Sequence, residues 1–368
     1  MTDVFTTVFN HDISLRPGYR EKLPPVYDLD ERETIYDIEN KAEKESEFGI
    51  FSDIFQAAMM IDWLRKWQPN KKTFKRHLDI GGSTGLIAGL FKAAGISEQA
   101  YCLDNHDARN ALDHDDVRRV LGTINRAREV LSLPEPKHEH GAAQTVRHNL
   151  NALTQMYPYD IWRGGEPDFS SAFWHFPKQS DFSLDDYHWG DYYKLDSKYD
   201  LLTAFSSMDH FSLKPFFSKA YQLLEPGGEF YIWAANWYCP LTSTFVFMDF
   251  PFGCQRLLRS DVARYFSKHH PDELRKILRA YDYWHQGDPG QVASDYINIA
   301  CDAGFQPLNE GRLVFPEGVP KAITSFEFSG DHGVEMLREV LRDVHCFKPN
   351  VTMLDLTTQS YLLAFRKP

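Results

Sequence analysis

The chain is short of positive charge, of long apolar runs and of paired cysteines, and each shortage weighs against a class of function. Forty Lys and Arg stand against 52 Asp and Glu, a formal net charge of −12 over 368 residues. No long Lys/Arg run compensates locally, so a surface that tracks duplex phosphates is disfavoured, because neutralising phosphates needs clustered cations. No stretch approaches the roughly 20 apolar residues of a membrane span. The opening MTDVFTTVFNHDISLRPGYR lacks the basic-then-apolar pattern of a secretory signal. Cysteine occurs five times, at Cys102, Cys239, Cys254, Cys301 and Cys346, scattered and without C-x-x-C spacing. That fits a reducing compartment and argues against a structural zinc motif. The expectations are a cytoplasmic protein with no nucleic acid and no membrane as partner; a homodimer is left open.

The remaining composition is that of an ordinary globular chain, 43% hydrophobic and 25% charged. Aromatic residues make up 14% and crowd the middle of the sequence. Residues before about position 45 are polar, carry Pro24 and Pro25, and read as an arm. From Phe48 the spacing of Ile50, Ile54, Ala58 and Ile61, joined by Phe51, Phe55 and Leu64, predicts a helix. RHLDI then reads as a short buried strand, LIAGLFKAAG as a helix ending at Gly95, and AYCLD as a second strand. Strand, glycine-rich turn, helix and strand make a βαβ unit with parallel strands.

Downstream, Val117, Val120, Leu121, Ile124 and Ala127 predict one helix, and residues 145–156 a second. From Pro167 to Gly190 the chain is aromatic and turn-rich, with no assignable element. KYDLLTAF reads as a buried strand, PFFSKAYQLL as a helix, EFYIWAANW as another strand after the LEPGG turn. DYINIACDAGFQPLNEGRL reads as helix, turn and strand, and TQSYLLAFRKP as a final strand. The His138–His140 run HEH lacks the H-E-x-x-H spacing that sets two imidazoles on one helix face, so no metal is expected there.

The turn itself, DIGGSTG at Asp79–Gly85, carries two signatures. From Gly81 it is G-x-S-x-G, the nucleophile elbow of α/β-hydrolases with Ser83 as nucleophile. An elbow follows a central strand preceded by others, whereas RHLDI is preceded only by a helix and a polar arm. The hydrolase stays a remote alternative. The other signature is a cofactor loop, whose backbone must approach a ligand closely and whose next strand should end in an acid that accepts ribose hydrogen bonds. Asp104 ends that strand, twenty-five positions after Asp79. A nicotinamide fingerprint would need glycine where Ser83 and Leu86 stand, so that cofactor fits poorly.

On these residues the sequence resembles the class I S-adenosylmethionine-dependent methyltransferases. DIGGSTG is similar to the D-x-G-G-G-T-G form of small-molecule O-methyltransferases, with Ser83 in place of the middle glycine. The resemblance implies a Rossmann-like, doubly wound α/β fold: a mostly parallel sheet, an antiparallel C-terminal strand and helical insertions. It implies S-adenosylmethionine as cofactor, S-adenosylhomocysteine as product and a small-molecule acceptor, most directly a hydroxyl. An amino acceptor and a non-catalytic cofactor-binding scaffold are the alternatives. Asp79, Gly81, Gly82, Ser83 and Gly85 would form the loop. Asp104 would hold the ribose, Asn105 and Asp191 would flank the adenine, and Phe205 would end the strand under the methionine part. His210 would be a general base or a packing residue, and Asp209 a second acid or a helix cap. Trp237, Tyr238 and His285 would line the acceptor site. The expected division is an arm and helix over 1–75, then the catalytic domain over 76–368 with insertions at about 106–186 and 237–295.

Overall fold

The computed structural model describes residues 3–16, 18–19, 47–68, 70, 73–105, 107–108, 111–131, 182–208, 211–238, 248–284, 290–314 and 330–368. Two strands near the start, β1 (Val4–Thr6) and β2 (Asp12–Ser14), form an antiparallel hairpin. Among the described residues seven more build the central sheet. These are β3 (Phe74–Ile80), β4 (Ser97–Asp104), β5 (Asp186–Trp189), β6 (Tyr199–Phe205), β7 (Leu224–Ala235), β8 (Gln306–Val314) and β9 (Thr358–Arg366). Their spatial order is β5-β4-β3-β6-β7-β9-β8. The first five in that order run parallel, and β9 is antiparallel to both β7 and β8. The fold is therefore the Rossmann-like, doubly wound sheet with an antiparallel late strand that the sequence implies.

A parallel sheet is buried on both faces, which explains the unbroken apolar runs of YDLLTAF and YIWAA. Leu201, Phe205, Tyr231 and Trp233 point to one face, and Leu202, Ala204, Phe230 and Ile232 to the other. The first face is covered by α1 (Glu47–Trp67), α2 (Leu86–Ala93) and α3 (His114–Leu131). All seven apolar residues whose spacing predicts α1 are buried. Each such Ile or Leu contributes about 1.5–3 kcal/mol through burial. The end of α2 is as read: Gly95 sits at φ +72°, and the N–H of Ile96 returns to the carbonyl of Phe91 at 2.9 Å.

The second face carries α4 (Leu213–Leu223), α5 (Arg259–His269), α6 (Leu274–Trp284), α7 (Ala293–Asp302), α8 (Gly330–His345) and α9 (Met353–Thr357). Helices α8 and α9 lie between β8 and β9, so there is an insertion beyond the two expected. The arm also differs from expectation. Phe5, Ile13 and Leu15 of the hairpin enter this second core. Asp261 accepts the N–H of Val8 at 3.0 Å, and Arg264 donates to the carbonyl of Thr6 at 2.8 Å. The hairpin is thus packed into the second core of the sheet and is not a separate arm. Finally, β5 lies within the aromatic stretch that gave no assignable element. The second helix expected at 145–156 and the HEH run fall outside the described residues.

Candidate cofactor and active site

The strand order reverses between the parallel strands β3 and β6, and in such folds ligands bind outside the carboxyl ends of the strands at that point. Two loops meet there. After β3 the chain turns through Gly81 at φ +70°, Ser83 at φ +47° and Gly85 at φ +79° into α2. After β6 it turns through Ser206 at φ +49°. A Cβ on Gly81 would lie 2.6 Å from Cβ of Ser207, whose hydroxyl donates to the carbonyl of Ile80 at 3.0 Å. A Cβ on Gly82 would lie 2.5 Å from Oδ2 of Asp79. The loop is glycine-rich because two neighbours already fill the space a side chain would take.

Neighbouring strands hold the loop in place. The N–H of Ser83 donates to Oδ2 of Asp104 at 2.8 Å, and Tyr187 on β5 donates its hydroxyl to the carbonyl of Ser83 at 2.7 Å. Ser83 works through its backbone, while its side chain is exposed. An Ala there keeps both bonds, so Ser83→Ala is expected to change donor affinity less than about twofold. Loss of all activity with the fold intact would revive the nucleophile.

Asp79 and Phe205 are buried, the latter edge-on to Phe91 with ring centroids 6.0 Å apart. Asp104 is half-buried at the end of β4, and Asn105 beyond it is exposed. The carbonyl of Asn105 accepts the indole N–H of Trp189 at 3.2 Å, leaving that ring 64% exposed beside Asp104, its register partner. Asp191 caps a short 3-10 turn by accepting the N–H of Tyr193 at 2.9 Å. That carboxylate, expected beside the adenine, is thus already engaged in a structural bond. Trp237 and Tyr238 are buried in the second core, Trp237 edge-on to Tyr281, so neither presents a wall to solvent. Asp209, His210 and His285 lie outside the described residues.

Several functional neighbours escaped the sequence reading. Asp79 Oδ1 accepts the hydroxyl of Thr203 at 2.6 Å, and Thr203 Oγ1 stands 2.7 Å from Nε2 of His77. All three are buried, and among the described residues Asp79 Oδ2 and His77 Nδ1 have no partner. Burial, with Asp104 nearby, raises the Asp79 carboxyl to about 7 against the opposing Thr203 bond; burial lowers His77 to about 3, so its ring is neutral. Gln56 on α1 is buried as well, and its Oε1 accepts the Ser206 hydroxyl at 3.4 Å. Neither His77 nor Thr203 carried a signal of its own: His77 shares its strand with Lys75, Arg76 and Asp79, and Thr203 is one hydroxyl in a run whose partner lies on another strand.

No family model matches the sequence, and no curated protein does. Solved structures to which the chain is similar stand at low identity and low TM-score. An N-methyltransferase from Bradyrhizobium japonicum is 11% identical over 85% of this chain and 97% of that one, with a TM-score of 0.35. The geranyl diphosphate C-methyltransferase of Streptomyces coelicolor, solved with S-adenosylhomocysteine, is 10% identical over 85% and 75%, at 0.37. The phosphoethanolamine N-methyltransferase 2 of Haemonchus contortus, solved with S-adenosylmethionine, is 12% identical over 88% and 57%, at 0.37. At these identities and scores the likeness favours no acceptor atom.

The site's own chemistry tests the fit of that donor. Among the described residues, a buried carboxylate oxygen without a partner lies under Gly82, where a Cβ would collide with it, and a half-exposed carboxylate ends the next strand. The first suits a ligand with a cationic or N–H end, the second a ligand with vicinal hydroxyls. S-adenosylmethionine has both. Among the described residues no group of three or more His, Cys, Asp or Glu side chains could hold a metal ion, and no helix is long and apolar enough to cross a membrane.

Proposed function

We propose that the chain binds S-adenosylmethionine at the junction of β3 and β6 and transfers its methyl group to a small molecule, most directly to a hydroxyl. The observation that carries this reading is the unpartnered Oδ2 of buried Asp79 beneath Gly82, together with Asp104 at the end of β4. The Gly81–Gly85 loop and Asp79 hold the methionine end, Asp104 the ribose, and Asn105, Asp191 and exposed Trp189 the adenine side. When bound, the donor supplies an electrophilic methyl group on sulfur. The remaining work is alignment, exclusion of water and, for a hydroxyl acceptor, removal of one proton. His210 follows β6 in sequence at the ligand edge of the sheet and is assigned that proton, with Asp209 beside it and His285 at the acceptor mouth.

One observation favours a second reading, a cofactor-binding protein without turnover. Trp237 and Tyr238, the aromatic residues expected to line the acceptor site, are packed into the core together with Phe250 and Phe252. An amino acceptor is also compatible with the site. Calorimetry with S-adenosylmethionine, S-adenosylhomocysteine and NAD tests the cofactor. Micromolar binding of the first two and none of NAD is expected; the reverse pattern overturns the reading. Release of S-adenosylhomocysteine across a panel of phenols, sugars and amines then separates enzyme from scaffold.

A further inference from the structure

His77 and Thr203 lie in the floor of the site behind Asp79. His77 and Asp79 are two residues apart on β3, so both point to the face covered by α2, where Thr203 on β6 joins them. The hydroxyl of Thr203 has one hydrogen and spends it on Asp79 Oδ1. His77 must then present Nε2–H to the Thr203 oxygen, which leaves Nδ1 bare, and Nδ1 is the ring nitrogen without a partner. The chain therefore has one direction, from His77 through Thr203 to Asp79, and ends at Oδ2 under Gly82. A core threonine and a core histidine that served packing alone would be cheaper as Val and Phe, since an unpartnered buried nitrogen costs about 1–3 kcal/mol.

We propose that His77 and Thr203 are positioning residues for the methyl donor, holding Asp79 as an anionic anchor for the donor's ammonium group and thereby making donor binding dependent on pH. The inference rests on the methyl-donor reading above. The groups facing Asp79 set the direction of the dependence. Cys102 and Asp104 come from β4, His77 from β3 and Thr203 from β6, while Leu86–Leu90 of α2 bring no charge. His77 is neutral, and Asp104 raises the Asp79 carboxyl, as burial does more strongly. Only the Thr203 hydrogen bond opposes them, and the carboxyl comes to rest at about 7. A cation binds the ionised form, so affinity rises as pH climbs towards 7 and levels off above it. Removing the Thr203 hydroxyl moves that rise to higher pH.

The test measures S-adenosylhomocysteine affinity from pH 5.5 to 7.5, below the titration of the ligand's own amino group near 8. For the intact chain the affinity should rise about tenfold per pH unit at the acid end. 5′-Methylthioadenosine, which lacks the amino acid portion, should bind equally well throughout. In Thr203→Val the S-adenosylhomocysteine curve should shift upward by about one pH unit, a loss of roughly five- to tenfold at pH 7, while 5′-methylthioadenosine affinity is kept. Thr203→Ser should restore the original curve. His77→Phe, whose ring fits beside Phe91, should shift the curve the same way by a smaller amount and carries the test if Thr203→Val does not fold. Curves for these variants that superimpose on that of the intact chain overturn the inference and leave the methyl-donor reading standing. Failure of the intact chain to bind either ligand at any pH overturns that reading instead.

Discussion

Replacing Asp104 by Ala is expected to weaken S-adenosylhomocysteine binding by about 2–4 kcal/mol, roughly thirtyfold to nearly a thousandfold. Two losses combine. The ribose loses a pair of charge-assisted hydrogen bonds, and the cofactor loop loses its tie to β4, the 2.8 Å bond from Ser83 N–H to Oδ2. The second loss matters because Ser83 is held at φ +47°, a left-handed conformation that an L residue abandons when nothing compensates. The fold should survive, since the side chain is half-buried at the end of a strand whose pairing does not use it. Asp104→Asn keeps one acceptor oxygen and gives up the charge, so its affinity should fall between the two. Calorimetry on the three proteins checks this. An Ala variant that binds like the intact chain would remove Asp104 from the site and the cofactor assignment with it.

Gly81→Ala is expected to cost stability as well as binding. The left-handed φ of +70° contributes about 1–2 kcal/mol for a residue with a Cβ. The new methyl would also sit 2.6 Å from Cβ of Ser207, an overlap that moves one loop or the other at about 1–3 kcal/mol. The two contributions can be separated. In Gly81→Ala/Ser207→Gly the overlap is gone and the φ penalty remains, so the double variant should be more stable than the sum of the single variants predicts. Chemical denaturation of all four proteins gives that coupling directly. Strict additivity would mean that the β3 and β6 loops do not interlock, and the description of the site's floor would have to change.

The parts of the molecule that were legible in the sequence are those set by local spacing. The apolar period of α1, the glycines of the cofactor loop and the acid at the end of β4 all act over a few residues, and each is where its pattern puts it. Three features were hidden because distant partners make them. β5 is four residues long, half-exposed at a sheet edge, and exists because β4 offers it hydrogen bonds. The β1–β2 hairpin has three residues per strand and is fastened by Asp261 and Arg264 on α5. Thr203 gains its meaning from Asp79, 124 positions away. Helix α8 is a different case. Met336, Val340 and Val344 stand four apart and are all buried, a helical signal that the expectation of two insertions left out. Trp237 and Tyr238 show the opposite limit, for composition cannot separate an aromatic that lines a pocket from one that fills a core.

The order of strands in space has a consequence for how such a chain is made. β9 follows every other strand of the sheet in sequence yet lies inside it, between β7 and β8. During synthesis β7 and β8 therefore both wait with an open hydrogen-bonding edge until residues 358–366 have emerged. Open edges of apolar strands invite pairing with other chains. β8 carries Asn309, Glu310 and Arg312, and Arg312 contacts Glu310 along the same strand at 2.6 Å. Those charges oppose pairing of the outermost strand with other chains, while β7, whose Phe230–Ala234 segment is fully buried in the finished sheet, depends on the arrival of β9. The sheet closes from the inside, and it closes late.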